Sequence, residues 1–306
     1  MAAVHRVGED APEGLFSGAS CAFGVFDGVH RGHAFLLDRA REEARRLGGR
    51  FIVITFDIDP DERFRPDSLK KLMTNEARIA LLSRLCDAVA VLPFTEEFSA
   101  LSPQAFLDAT FASGVPAALH VGVDFRFGAR AAGTVDDLHA WGDGRGMAVR
   151  AHELLGIDGA PVTATRIRGL LGAGDIAEAN KLLGRRYAIE GTVYAGRGEG
   201  ADMGFRTANL KMPSQLRALA DGVYAAYAVV DGRRYKAAVN VGVAATFADR
   251  STATCEAHLL HFQGDLYGKD VEIEFAEWLR PMRKFDDIDE LIATVKDNIR
   301  WVDENL

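Results

Sequence analysis

The sequence predicts a doubly wound α/β domain followed by a mainly antiparallel β-barrel with a C-terminal helix, and three observations predict it. Residues 1–185 alternate short, continuously apolar runs with longer amphipathic stretches. From residue 186 onward, strand-like runs follow one another with turn signals between them. One last periodic segment, 286–304, reads as a helix.

In the first half the apolar runs are 20–26, 50–56, 87–94 and 118–125. Continuous apolarity is what a parallel strand covered on both faces requires. Helical patterns over 32–47, 74–86 and 102–113 separate them, the third with Ser102 as N-cap and Pro103 at the first helical position. Strand, helix and strand at this spacing make right-handed βαβ units. Two short helical patterns follow, 165–172 and 175–183, punctuated by Gly174 and Gly184. Strand-like runs then cover 187–196, 222–230, 233–242, 255–262 and 270–279, with Asp231-Gly232 as a hairpin signal. The terminal pattern places Ile288, Leu291, Ile292, Val295 and Ile299 on one side of a helix. The expected domains are 1–185 and 186–306.

The chain has 306 residues, enough for two domains with a core each. Its 36 basic and 44 acidic side chains give a net charge of −8. That balance argues against a nucleic-acid partner and leaves room for a small phosphate-bearing ligand held locally. Cys21, Cys86 and Cys255 are far apart and form no CxxC, as in a reduced intracellular protein. The start lacks a secretory pattern, and no apolar run approaches the roughly 18–20 residues of a membrane span. A cytoplasmic protein with no membrane partner is expected.

The most informative stretch joins the first predicted strand to the first helix: Phe23-Gly24-Val25-Phe26-Asp27-Gly28-Val29-His30-Arg31-Gly32-His33. Such a junction offers free backbone N–H groups and the positive end of a helix dipole to an anion. Gly24, Gly28 and Gly32 allow close backbone approach. His30 and His33 are three apart, so in the opening turn of a helix they face the same oxygens and can stabilise charge on a phosphoryl group under in-line attack. Taken alone, the pair also fits two solvated histidines or half a zinc site, but no second His/Cys pair of suitable spacing accompanies it.

This stretch resembles the HxGH signature of Rossmann-like nucleotidyltransferases, in the version found in bacterial bifunctional FAD synthetases, which join a riboflavin kinase to an FMN adenylyltransferase. The likeness spans essentially the whole chain and continues through Thr55-Phe56-Asp57, residues 92–106, residues 121–128 and residues 165–187. It implies attack of the FMN phosphate on the α-phosphorus of Mg-ATP, giving FAD and pyrophosphate. By this resemblance His30 and His33 are catalytic, and Phe23, Gly24, Phe26, Asp27 and Gly28 shape the nucleotide site. Thr165 and Arg168 hold the triphosphate, while Asp59, Asp124, Phe125, Arg126 and Gly128 lie on the flavin side. The chain departs from the family at Asp59, where an imidazole is usual, and at Ala164, where a hydroxyl is usual.

The second half resembles riboflavin kinase. Gly196, Gly198 and Gly204 fall in the family's glycine-rich phosphate loop, and residues 204–209 match GFPTAN except at Arg206. The resemblance assigns Thr207 and Asn209 to ATP phosphates and Mg, Glu256 to the base that takes the ribityl hydroxyl proton, and Arg280 to the flavin. Alone, the glycines fit a plain loop and Glu256 fits a solvent-facing strand position. Glu199 and Ala201 replace two arginines of the family pattern, and Asp202 adds another negative charge. Two alternatives stay open: an FMN adenylyltransferase with a weakened or merely flavin-binding second domain, and a non-catalytic flavin- or nucleotide-binding regulator.

Overall fold

The computed structural model describes residues 1–64, 70–195, 205–211, 216, 219–242 and 254–306. It forms two compact units, residues 1–69 with 74–163, and residues 70–73 with 164–306.

The first unit is a parallel sheet of six described strands in the order β1-β4-β3-β2-β5-β6. These are β1 (Ala3–Arg6), β2 (Ser20–Phe23), β3 (Phe51–Phe56), β4 (Ala88–Leu92), β5 (Ala118–Gly122) and β6 (Ala148–His152). The doubly wound expectation is met, and the four predicted runs are the four inner strands. All residues of β2, β3 and β4 are buried, as two covered faces demand. The edge strands β1 and β6 escape a search for apolar runs because their exposed face carries polar residues. Helices α1 (Arg31–Leu47), α2 (Pro60–Phe64), α3 (Asn75–Leu82), α4 (Glu96–Ser99), α5 (Pro103–Thr110) and α6 (Val135–Asp143) connect them. The expected Ser102 cap is present, its hydroxyl accepting from the Ala105 N–H, and α1 ends on Gly48 at φ +63°. A short hairpin, β7 (Gly156–Ile157) with β8 (Ala160–Pro161), follows the sheet.

The second unit starts with a helix pair, α7 (Ala164–Gly172) and α8 (Ile176–Leu183). Asn180 of α8 donates to the Phe275 carbonyl at 2.9 Å and accepts from the Tyr187 N–H at 2.6 Å, tying the helix to two strands of a closed antiparallel barrel. That barrel runs β10-β13-β12-β11-β14-β9, from β9 (Tyr187–Tyr194), β10 (Ala208–Lys211), β11 (Gly222–Val230), β12 (Arg233–Gly242), β13 (Thr254–Leu259) and β14 (Asp270–Pro281). Asp231 and Gly232 both have positive φ, as the expected β11–β12 hairpin requires. The expected terminal helix is α9 (Ile288–Asn305). Its predicted stripe is only half-buried, Ile288 is 62 % exposed, and the sealed residue is Val302 near its end. The Tyr227 hydroxyl, donating to the Leu306 carbonyl at 2.9 Å, fixes that end.

Candidate functional site

The order of the first sheet reverses between β2 and β5: β3, β4 and β1 lie on one side of β2, and β5 and β6 on the other. Ligands of doubly wound sheets bind outside the carboxyl ends of the strands at such a reversal. Both segments singled out in the first half lie there, the 24–33 loop after β2 and the 123–128 loop after β5.

The 24–33 loop is strained. Phe26, Gly28 and Val29 have φ of +59°, +75° and +38°. A β-branched residue at positive φ is an outlier that persists only where its surroundings enforce it. Gly24 is needed because a Cβ there would lie 3.2 Å from the Phe26 ring. A Cβ on Gly32 would lie 2.9 Å from the Val162 carbonyl oxygen and 3.1 Å from the His30 ring.

His30 is buried and caps α1: its Nδ1 accepts from the His33 backbone N–H at 3.3 Å. An accepting Nδ1 puts the proton of the neutral ring on Nε2. The two imidazoles stack with centroids 3.6 Å apart, and the Phe26 ring meets His33 edge-on at 5.2 Å. Two imidazoles and the first backbone N–H groups of a helix of 17 residues thus share one place.

The other predicted residues of this unit vary in exposure. Asp27 and Asp59 are buried, and Phe23 sits within the core, its ring 5.0 Å from Phe125. Asp124 and Arg126 are exposed. Gly128 has φ +71°, and a Cβ there would lie 2.9 Å from Pro103, so close packing explains it as well as ligand approach does. Thr165 and Arg168 lie on α7, in the second unit.

In the barrel, β10 places Asn209 directly opposite Tyr194 of β9 and Glu256 of β13, and Glu256 opposite Asn240 of β12. Directly opposed residues share one face of a sheet. The neighbours of Glu256, Cys255 and Ala257, are buried in the core, so this polar row occupies the outer face. Burial, with Glu256 next in effect, raises the Tyr194 hydroxyl above its ordinary pKa. A cavity of about 980 Å³ lies alongside, lined by Arg206, Thr207, Asn209, His258, His261 and Tyr267 among others. His258 Nδ1 lies 2.9 Å from the Arg206 carbonyl oxygen, linking β13 to the segment before Thr207. Glu256 and Arg280 do not line this cavity. Arg280 extends from β14 towards the Phe285 ring, 5.8 Å away. Gly196, Gly198 and Gly204, with Glu199, Ala201 and Asp202, lie outside the described residues.

Sequence reasoning missed Tyr194, Asn240 as a member of the row, and above all Arg78. Arg78 is 2 % exposed and hydrogen-bonds the Val25 carbonyl, just past β2, and the Phe56 carbonyl at the end of β3. A signal was present, since Arg78 and Leu82 are one turn apart on the buried side of α3.

Comparison with known proteins follows the same division. A family model described as FAD synthetase matches residues 15–166, and one described as riboflavin kinase matches residues 183–306. The bifunctional riboflavin kinase/FMN adenylyltransferase of Pseudomonas fluorescens is 34 % identical, over 92 % of this chain and 91 % of its own length. Its counterpart in Listeria monocytogenes is 33 % identical over 90 % and 88 %, and that of Escherichia coli K12 31 % identical over 95 % and 93 %. A crystal structure described as a macrolide-efflux protein from Streptococcus pneumoniae superposes with a TM-score of 0.86 at 27 % identity, covering 99 % of both chains. Among the described residues here, no helix is long and apolar enough to cross a membrane.

Proposed function

The chain belongs to the family of bifunctional riboflavin kinase/FMN adenylyltransferases, and from that premise we propose which residues perform each step. The enzyme makes FAD in two ATP-dependent reactions: phosphorylation of riboflavin to FMN, then adenylylation of FMN with release of pyrophosphate.

Adenylyl transfer belongs to the β2–α1 loop, and the observation behind this is the stacked His30–His33 pair at the N-terminus of α1. The FMN phosphate attacks the α-phosphorus of ATP, and negative charge builds on the oxygens around it. Backbone N–H groups, the helix dipole and the Nε2–H of His30 stabilise that charge without reorganising, which suits a reaction that needs positioning more than covalent help. His33, stacked on His30, presents its imidazole to the same phosphates. Phe23, Gly24, Phe26, Asp27 and Gly28 shape the nucleotide side. Asp59, Asp124, Phe125, Arg126 and Gly128 form the flavin side. Thr165 and Arg168 are assigned to the triphosphate by the family pattern. In functional terms we place the modules at 1–185 and 186–306.

Phosphorylation of riboflavin belongs to the barrel. Thr207 and Asn209 hold ATP phosphates in the adjoining cavity. Glu256 accepts the proton of the attacking ribityl hydroxyl, and Arg280 serves the flavin. Thr207 and Asn209 bring oxygen donors, the ligand chemistry magnesium takes when substrate phosphates complete its shell. Magnesium held there would neutralise phosphate charge.

Chromatography of reactions with Mg-ATP and either riboflavin or FMN tests the assignment. FAD should form from both, by way of FMN when riboflavin is supplied. Formation from FMN alone selects a chain with an inactive kinase unit, and no product despite bound flavin selects a regulator.

A further inference from the structure

We infer that Arg78 is a positioning residue for adenylyl transfer: by tying Val25, in the 24–33 loop just past β2, to the carboxyl end of β3, it sets the orientation of His30 and His33. The inference rests on the assignment of that loop to adenylyl transfer.

The guanidinium is spread over Val25, just past β2, and the end of β3. One nitrogen, Nη1, donates to the Val25 carbonyl and, at 3.1 Å, to Thr55 Oγ1. The other, Nη2, donates to the Phe56 carbonyl at 2.7 Å and to Asn75 Oδ1 at 3.1 Å. Thr55 Oγ1 also donates to the Val25 carbonyl at 3.2 Å, so this oxygen is held from two directions. The planar fork of an arginine suits such simultaneous contacts, and a single ammonium does not reproduce them.

Val25 is the last residue before the strained turn. The peptide it anchors leads directly into Phe26 at φ +59°, whose ring then packs on Gly24 and edge-on against His33. Holding the Val25 carbonyl therefore fixes the entry to the turn that ends at His30, the cap of α1. Strain of this kind needs enforcement from outside the loop, and Arg78 supplies it from α3.

A buried cation needs counter-charge. Burial lowers the Arg78 pKa from its ordinary value, and Asp59, then Asp27, Glu62 and Asp57, oppose that shift. Asp59, which stands where the family has an imidazole, thus contributes most to keeping the charge beneath the loop.

The test compares Arg78→Met and Arg78→Lys in the full chain, with circular dichroism and thermal melting of the same molecules as the control of folding. Arg78→Met is expected to lower kcat for FAD formation from FMN by about 100-fold, the scale of an ångström of misplacement, with KM for ATP and FMN changed less than about threefold. Arg78→Lys is expected to recover part of that loss. Combining Arg78→Met with His33→Ala should cost little more than His33→Ala alone, because both act through the same group. The imidazole NMR signals of His30 and His33 should shift in Arg78→Met. Wild-type kcat in that variant, or effects that multiply in the double variant, overturns the inference. If Arg78→Met does not fold, the Arg78→Lys kinetics and imidazole signals decide in the same way. If the unsubstituted chain forms no FAD from FMN, the assignment of the loop fails. The imidazole signals then decide the positioning role, which is overturned if they do not move.

Discussion

His120 Nε2 lies 2.9 Å from Glu43 Oε2, with the two side chains only 2 % and 7 % exposed. A carboxylate can only accept, so Nε2 carries the proton and Nδ1 faces His152 Nε2, 2.9 Å away, as an acceptor. Arg150 closes the cluster through Nη2 to Glu43 Oε1 at 3.0 Å. This group joins α1 to β5 and β6, and it makes stability depend on pH. Burial pushes His120 down to about 4, with Glu43 opposing. For Glu43 burial acts upward, but Arg150, His120 and Arg46 together outweigh it and hold the carboxyl below its usual range. Between about pH 6.5 and pH 4 the unfolded chain binds a proton at His120 that the folded chain refuses. Folding stability is therefore expected to fall across that window, by roughly 1–3 kcal/mol from this group. Below it, protonation of Glu43 removes more. Amide hydrogen exchange in β5 from pH 7.5 to 4.5 reads the loss, and His120→Gln should flatten the slope. An unchanged slope in His120→Gln excludes this cluster as its source.

The capping role of His30 separates its structural part from its chemical part. Asn is a strong N-cap residue, whereas Ala is a poor one. His30→Asn is expected to keep the melting temperature of the first unit while lowering kcat for FAD formation by about 100-fold, since the Nε2–H is lost. His30→Ala should lose the same activity and also destabilise the unit by about 1 kcal/mol. Calorimetry beside steady-state kinetics distinguishes them, and an active His30→Asn enzyme would remove His30 from the chemistry.

Much of the fold is legible because burial on both faces writes itself into sequence. The inner strands β2 to β5 appear as unbroken apolar runs, while β1 and β6, each with an exposed face, do not. Runs such as 20–26 overshoot, since β2 stops at Phe23 and the chain enters positive φ at Phe26, and periodicity carries no trace of that turn. The HxGH stretch is legible through its glycines, and the structure gives two of them steric reasons, the Phe26 ring at Gly24 and the Val162 carbonyl at Gly32. Arg78 sits one turn from Leu82 on the buried side of α3, but what it holds, the Val25 and Phe56 carbonyls and Thr55 Oγ1, lies on other segments and leaves no mark on local spacing. The polar row in the barrel needs the register of four strands, which the separate runs do not specify.

Two helical glycines make opposite predictions. Gly169, exposed on α7, has no positive φ, and a Cβ added there would meet nothing within 4 Å. Gly169→Ala should stabilise the second unit by about 0.5–1 kcal/mol through helix propensity. Gly32, in the first turn of α1, would gain similarly from propensity, but its Cβ would press on the Val162 carbonyl and the His30 ring. Gly32→Ala is expected to lower FAD formation about tenfold or more by displacing His30. Melting curves with FMN-to-FAD rates check both, and full activity in Gly32→Ala would show that the ring has room to move.

Glu256 supplies the cleanest separation of the two reactions. Its place between Asn209 and Asn240 comes from backbone register, and a change of carboxylate to amide preserves size on a half-exposed strand face. Folding should therefore tolerate Glu256→Gln. The amide cannot accept a proton, so phosphorylation of riboflavin should drop by roughly 100- to 10,000-fold, the range expected for a general base. FAD formation from supplied FMN should continue at the wild-type rate. The loss should not be rescued by excess ATP, because a base acts on kcat and leaves nucleotide affinity alone. A Glu256→Gln chain that still converts riboflavin at the wild-type rate would assign the proton elsewhere, with the neighbouring Tyr194 hydroxyl next in the same row to examine.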